Sequence, residues 1–244
     1  MILAAGLGTR MEELTKSSPK PLLPVLGFPL LAHTLFFLWK QNCSFAAINV
    51  HYLGHKIEEF LDDFPYFEVQ FSREDVLLGT GGGIRTALEQ TALAGEFWVM
   101  NPDCIYDPEF SLGVLEPKLD STTLAFRPRS RNSLETGFEA PSTTEEQVFP
   151  VQFSQEGTLQ YCGLSFQYES DFSNIPPGTP ANVVDGWRAR ASRSPSELFG
   201  FLYDGFYIDA GRKQDYIKCA EKAELFPLTY RSDLAEFMQR WKGI

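Results

Sequence analysis

Leu3–Val25 reads LAAGLGTRMEELTKSSPKPLLPV, and the fold follows from how this stretch is parsed. The apolar run Met1–Ala5 leads into Gly6-Leu7-Gly8-Thr9, the pattern of a buried strand entering a tight loop. Two glycines let the backbone turn sharply and approach a ligand with no β-carbon in the way. Successive N–H groups in such a turn form an anion-binding concavity. Arg10 follows at once, Lys16 and Lys20 come soon after, and Pro19 and Pro21 flank Lys20 and restrict its backbone. Three cations beside a glycine turn suggest a polyphosphate cradle. It is not a Walker loop, because no G-K-[ST] occurs. Nor is it a dinucleotide fingerprint, which would want a third glycine where Met11 stands.

Beyond this loop, strands and helices alternate. Apolar positions through Pro29–Asn42 predict a mostly buried helix, and Phe45–His51 a second strand. Ile57, Phe60, Leu61 and Phe64 share one face of a helix over Leu53–Phe64, with Glu58, Glu59, Asp62 and Asp63 outside. Tyr66–Ser72 reads as a strand, Gly82–Leu93 as a helix opened by glycines, and Glu96–Asn101 as a buried strand ending in Asn101-Pro102-Asp103. This order implies βαβ units, a mainly parallel sheet and helices on both faces.

The texture changes near Thr122. Thr122–Arg127 reads as a strand, Pro128–Glu146 as an exposed excursion, and Val148–Phe153 and Thr158–Tyr168 as strands around a Gln155-Glu156-Gly157 turn. Ser173–Ala181 (SNIPPGTPA) reads as a loop, and Lys213–Ala223 and Asp233–Trp241 as closing helices. No internal repeat and no clean linker interrupts the 244 residues. The expectation is one domain over 1–244, with a nucleotide-binding half (1–120) and a sugar-phosphate-binding half (121–244).

A net charge of −11 argues against a nucleic-acid partner, which would call for a basic surface. Cys43, Cys104, Cys162 and Cys219 are widely spaced, without a C-x-x-C pair, and read as reduced thiols that pack. No run approaches the ~18 apolar residues of a membrane span, and the start has no basic n-region. The expectation is a cytoplasmic protein without a membrane partner; a homodimer is left open.

Taken whole, Leu3–Val25 resembles the N-terminal signature of the sugar-1-phosphate nucleotidyltransferases, L-A-x-G-x-G-T-R-[ML]-x-P-L-T-x-x-x-P-K-P-[LM]-x-P-V. Every fixed position matches except one, where Glu13 replaces the usual proline. The similarity continues through Gly27–Leu31 (GFPLL), Asn49-Val50-His51, Leu78–Ile84 (LGTGGGI), Asn101-Pro102-Asp103, Gly163 in QYCGLSF, and Gly205–Gly211 (GFYIDAG). It implies a Rossmann-like, mixed α/β nucleotide-diphospho-sugar transferase fold. It also implies the reaction of an NTP (UTP or GTP) with a sugar 1-phosphate to give an NDP-sugar and pyrophosphate.

By this resemblance, Leu3, Ala4, Ala5 and Gly6 lie against base and ribose, and Gly8, Thr9 and Arg10 hold phosphates. Arg10 and Lys20 are the catalytic cations. Gly81 and Gly82 let a base edge lie against main chain, Asn101 and Gly163 serve the sugar, and Asp103 and Asp209 hold Mg²⁺. Two departures matter. Pro102 stands where the family has glycine, removing an N–H, and the family's E-K-P segment has no clear counterpart. Arg127, Arg129 and Arg131 are candidates for the missing cation. Short N-acetylmuramate 1-phosphate uridylyltransferases resemble this chain in length and in T-G-G-G. Mannose- or heptose-phosphate guanylyltransferases share the L-G-T-x-G loop. A silent nucleotide-sugar sensor and a non-sugar cytidylyltransferase are the other readings. His33 and His55 read as ordinary helix residues, and Glu12 and Glu13 as a solvated face.

Overall fold

The computed structural model describes residues 1–114, 121–129, 137–140, 148–193 and 198–244. Along the chain come β1 (Ile2–Leu3), β2 (Pro24–Val25), β3 (Phe28–Pro29), α1 (Leu30–Lys40), β4 (Phe45–Val50), α2 (Gly54–Leu61), β5 (Glu68–Arg73), α3 (Gly79–Gln90), β6 (Glu96–Met100) and β7 (Cys104–Tyr106). There follow β8 (Thr122–Pro128), β9 (Gly137–Glu139), β10 (Phe149–Pro150), β11 (Gln152–Phe153), β12 (Leu159–Tyr168), α4 (Val183–Arg193), β13 (Leu198–Leu202), β14 (Tyr207–Asp209), α5 (Lys213–Glu221) and α6 (Leu228–Lys242). Arg131 and most of the 128–146 excursion lie outside the described residues.

One sheet runs through both halves in the order β10-β13-β8-β12-β6-β1-β4-β5, with β9 and β11 attached beside β12. Strands β5, β4, β1 and β6 are parallel, as the βαβ pattern predicts. The mixed character enters at β12, antiparallel to both β6 and β8. Helices α1, α2 and α3 supply the crossovers that parallel neighbours require, whereas the antiparallel β12 needs none of its own.

Strand β4 shows how both faces are covered. Successive side chains point to opposite faces, so Ala46, Ile48 and Val50 join a core with Leu31, Leu35 and Phe36 of α1 and Leu234 and Phe237 of α6. Ala47 turns the other way, onto Ile84 and Ala87 of α3. Asn49 shares that second face, which matters below. A third core forms in the second half, where Trp187 of α4 packs with Leu124, Phe126 and Leu198.

His33 is a helix residue, as read from the sequence, and is buried in α1 at 1% exposure. Its Nε2 lies 3.0 Å from the Val25 carbonyl, which can only accept, so Nε2 carries the proton and Nδ1 accepts from the Tyr230 hydroxyl at 2.7 Å. Burial lowers its pKa to about 4. His55 is exposed on α2. The four cysteines are free, and burial raises the thiol pKa of each. Among the described residues no helix is long and apolar enough to cross a membrane.

Candidate active site

Strand β1 delivers the chain to the carboxyl edge of the parallel strands, where open α/β sheets place their ligands. A cleft of about 350 Å³ opens there. Leu3, Ala4, Ala5, Gly6, Gly8, Thr9 and Arg10 form one wall, Leu77, Gly79 and Thr80 another, and Lys20, Asn49, Asn101 and Asp103 also line it. The loop of the first wall is closed by Thr15, whose hydroxyl donates to the Gly8 carbonyl at 3.1 Å. Gly8 sits at φ +65, and a β-carbon there would lie 2.8 Å from Thr15 Cγ2. Gly8 therefore meets two demands, a left-handed backbone and a close approach. Gly6 is open, with nothing within 4 Å of a built β-carbon.

Lys20 extends from a short 3-10 turn, Lys20–Leu22, into this cleft. Its ammonium donates to the Asp103 carboxylate and, at 2.9 Å, to the Gly211 carbonyl. Asp103 occupies the turn between β6 and β7. Strand β14 pairs antiparallel with β7 in the register Asp209↔Cys104, bringing Asp209 alongside. Asp209 Oδ1 accepts from Gly211 N at 2.6 Å, and Ala210 N donates to the Asp103 carbonyl at 2.8 Å. A β-carbon placed on Gly211 would lie 2.7 Å from Asp209 Oδ1 and 3.4 Å from Asp103 Oδ2. One small space therefore faces both carboxylates, and glycine keeps it clear.

The donor chemistry of this pair is compatible with Mg²⁺. Both donors are hard oxygens. No group of three or more His, Cys, Asp and Glu gathers among the described residues. Such a pair leaves most of the coordination shell to phosphate and water, which is how Mg²⁺ is usually held.

The remaining sequence-predicted residues are placed differently. Gly81 and Gly82 do not line the cleft; Gly79 and Thr80 do. The N–H groups of Gly81 and Gly82 donate to the Ala181 carbonyl at 2.9 and 3.3 Å. A β-carbon on Gly82 would lie 2.4 Å from the Thr179 carbonyl oxygen. These glycines admit the chain's own 179–183 segment. Gly163, at φ +82 in the irregular middle of β12, accepts from Asn101 N at 2.9 Å and stands behind Asn101, outside the cleft lining. Arg127 donates to the Gly205 carbonyl at 2.9 Å and lies 5.1 Å over the Tyr207 ring. Arg129 donates to the Gln155 carbonyl at 2.7 Å. Both guanidiniums are turned onto their own chain. His51 donates from Nδ1 to the Glu74 carbonyl at 2.8 Å and is not a cleft residue. Glu12 and Glu13 are exposed yet paired, with Lys213 Nζ at 2.8 and 2.6 Å.

Sequence reasoning noted Asn49 only within Asn49-Val50-His51, without a role, and passed over Glu74. Asn49 Oδ1 accepts from Ala4 N at 2.8 Å, and its Nδ2 donates to Glu74 Oε1 at 2.6 Å. Glu74 Oε2 accepts from Leu78 N at 2.9 Å. This buried relay ties the first wall of the cleft to the second. Gly83 makes room for it, since a β-carbon there would lie 2.6 Å from both Asn49 Nδ2 and Glu74 Oε1. The available signal was Asn49 itself, a polar residue between Ile48 and Val50 on a strand otherwise wholly apolar.

Known proteins resemble this chain as follows. The family described as Nucleotidyl transferase matches residues 1–130. A D-glycero-alpha-D-manno-heptose 1-phosphate guanylyltransferase of Campylobacter jejuni is 35% identical over 220 residues, covering 88% of this chain and 96% of its own. An N-acetylmuramate alpha-1-phosphate uridylyltransferase of Caulobacter vibrioides is 40% identical over 248 residues, covering 92% and 96%. Among solved structures, UDP-glucose pyrophosphorylase from Acinetobacter baumannii superposes with a TM-score of 0.74 over 99% of this chain and 98% of its own. At 14% identity that likeness is one of fold.

Proposed function

The chain belongs to the nucleotidyl transferase family, and from that premise we propose uridylyl transfer from UTP to an amino-sugar 1-phosphate such as N-acetylmuramate 1-phosphate, with release of pyrophosphate. The observation that carries the reaction class is the meeting of Lys20, Asp103 and Asp209 beside a cleft walled by Leu3–Arg10. The 40% identity to the uridylyltransferase over most of both chains supports the choice of base and sugar. The 35% identity to the heptose 1-phosphate enzyme supports guanylyl transfer as the second reading.

In this reading a phosphate oxygen of the sugar 1-phosphate attacks the α-phosphorus of the NTP. The α–β bridge bond breaks, and its electron pair leaves with pyrophosphate. Catalysis then reduces to holding repelling anions together and neutralising charge. N–H groups of the Gly6–Arg10 loop and the Arg10 guanidinium hold the β- and γ-phosphates, so that Arg10 stabilises the leaving group. Lys20 reaches the phosphates at the reacting centre. Asn101 and the turn before Asp103 border the sugar, with Gly163 holding Asn101 in place. Asp103 and Asp209 would hold Mg²⁺, which supplies charge neutralisation between the two phosphate groups. The Asn49–Glu74 relay fixes the spacing of the two cleft walls.

Pyrophosphate release, measured with each NTP against a panel of sugar 1-phosphates in Mg²⁺, tests this. Turnover with UTP and N-acetylmuramate 1-phosphate is the expected result. Turnover only with GTP and a heptose or mannose phosphate selects the second reading. Nucleotide binding without turnover on any pair defeats both.

A further inference from the structure

The fold itself supplies Asp103 with a cation. Lys20 Nζ is bonded to Asp103 Oδ2 and to the Gly211 carbonyl, and the two side chains are only 12% and 19% exposed. The same Oδ2 and Asp209 Oδ1 both lie within 3.4 Å of one point, the position of a β-carbon built on Gly211. A divalent ion held by both aspartates would share Asp103 with the ammonium. Two cations at contact distance on one carboxylate, in a site of reduced dielectric, repel strongly. Lysine can leave, because its charge rides on a flexible four-carbon stem. Phosphate oxygens arriving over Gly8–Arg10 offer it new acceptors within the same cleft, since Lys20 lines that cleft with them.

We propose that Lys20 makes metal binding conditional on nucleotide: it competes with the divalent ion for Asp103 until phosphates draw it away. This deepens the reading above, and rests on the assignment of Asp103 and Asp209 as the metal-holding pair. Linkage makes the effect reciprocal, so nucleotide tightens metal by the same factor that metal tightens nucleotide. Lys20 would carry a large share of that factor. Replacing it by an uncharged side chain should raise the affinity for metal alone and shrink the coupling.

The test is Mn²⁺ binding, followed by electron paramagnetic resonance, with and without a methylene-bridged NTP analogue that cannot be cleaved. Wild type, Lys20→Met and Asp103→Asn are compared, each first checked for a native circular dichroism spectrum. Lys20→Gln serves where the Met variant does not fold. Wild type is expected to bind Mn²⁺ weakly alone and tightly with the analogue. Lys20→Met should bind Mn²⁺ alone at least about tenfold more tightly than wild type, a difference of about 1.4 kcal/mol, with the analogue adding correspondingly less. Lys20→Arg keeps the charge and should keep weak binding. Equal Mn²⁺ affinity of wild type and the uncharged variants, with Asp103→Asn weakening every background, overturns the competition while leaving the metal assignment standing. Mn²⁺ binding indifferent to Asp103→Asn removes the assignment, and the competition with it.

Discussion

The two glycine-rich stretches, Gly6–Gly8 and Gly79–Gly83, look alike in sequence and do different work. In the first, the missing β-carbons face the cleft or the loop's own closure: Gly6 meets nothing and Gly8 meets Thr15. In the second, they face the protein. Gly79, Gly81 and Gly82 admit residues 179–183, and Gly83 admits Asn49 and Glu74. A glycine cluster thus marks close approach, and only the fold tells whether ligand or chain does the approaching. The same sort of residue lines an open cleft in one place and makes a helix-to-loop seam in the other.

Five measurements sharpen or break this contrast. The largest effect belongs to Lys20, which packs against Gly8 and reaches Asp103. Lys20→Ala should cut turnover by about 10²–10³-fold, the scale of losing one preorganised charge partner, with a folded protein by circular dichroism; near-normal turnover would detach the first stretch from chemistry. Acid should act on neither stretch. Native His33 stays neutral down to about pH 4, whereas the unfolded chain takes up its proton near 6.5. His33's own share of the stability is therefore full above pH 6.5 and is lost as pH drops to about 4, by on the order of 3 kcal/mol. Melting curves of wild type and Gly82→Ala should run parallel through that window, and His33→Gln should flatten its share of the slope.

Gly82→Ala places a methyl against the Thr179 carbonyl and should cost about 1–3 kcal/mol of stability, with specific activity of the folded fraction retained. A stable but inactive Gly82→Ala would return this glycine to the ligand. Gly6→Ala should do the reverse, leaving the melting temperature in place and raising KM for the nucleotide on the order of tenfold, about 1.4 kcal/mol of binding; a collapsed melting temperature would break the contrast from the other side. The smallest effect is Lys213→Ala. Its pairs with Glu12 and Glu13 are exposed, and exposed pairs are weak. KM for the nucleotide should rise no more than about threefold, and the rise should vanish in high salt.

The parallel half was legible because its signals are local. Short apolar runs lay out β4 and β6 and a 3.6-residue pattern lays out α2, and the strand-end position of Asp103 follows from the run before it. Helix α4 was not legible, because Gly186 interrupts it and Val183, Val184 and Trp187 are its main apolar anchors. Strand β13 (LFGFL) has no alternation to read, and is fixed by pairing with β8 more than seventy residues earlier. Helix α6 begins at Leu228, ahead of the expected Asp233, because Pro227 sets up its entry with φ −52. The first glycine stretch was readable through the charged residues that accompany it. The second was not, since its partners, Thr179, Ala181 and Asn49, are remote in sequence and mostly present backbone.

Asp103 and Asp209 stand side by side only because β14 pairs with β7, and Lys20 is anchored partly by the carbonyl of Gly211. During translation the loop, the lysine and the first aspartate leave the ribosome long before the second aspartate does. A nascent chain that ends after β6 therefore still lacks half of its acidic pair, and on the proposed assignment of Asp103 and Asp209 nucleotidyl transfer waits until β14 has docked on β7.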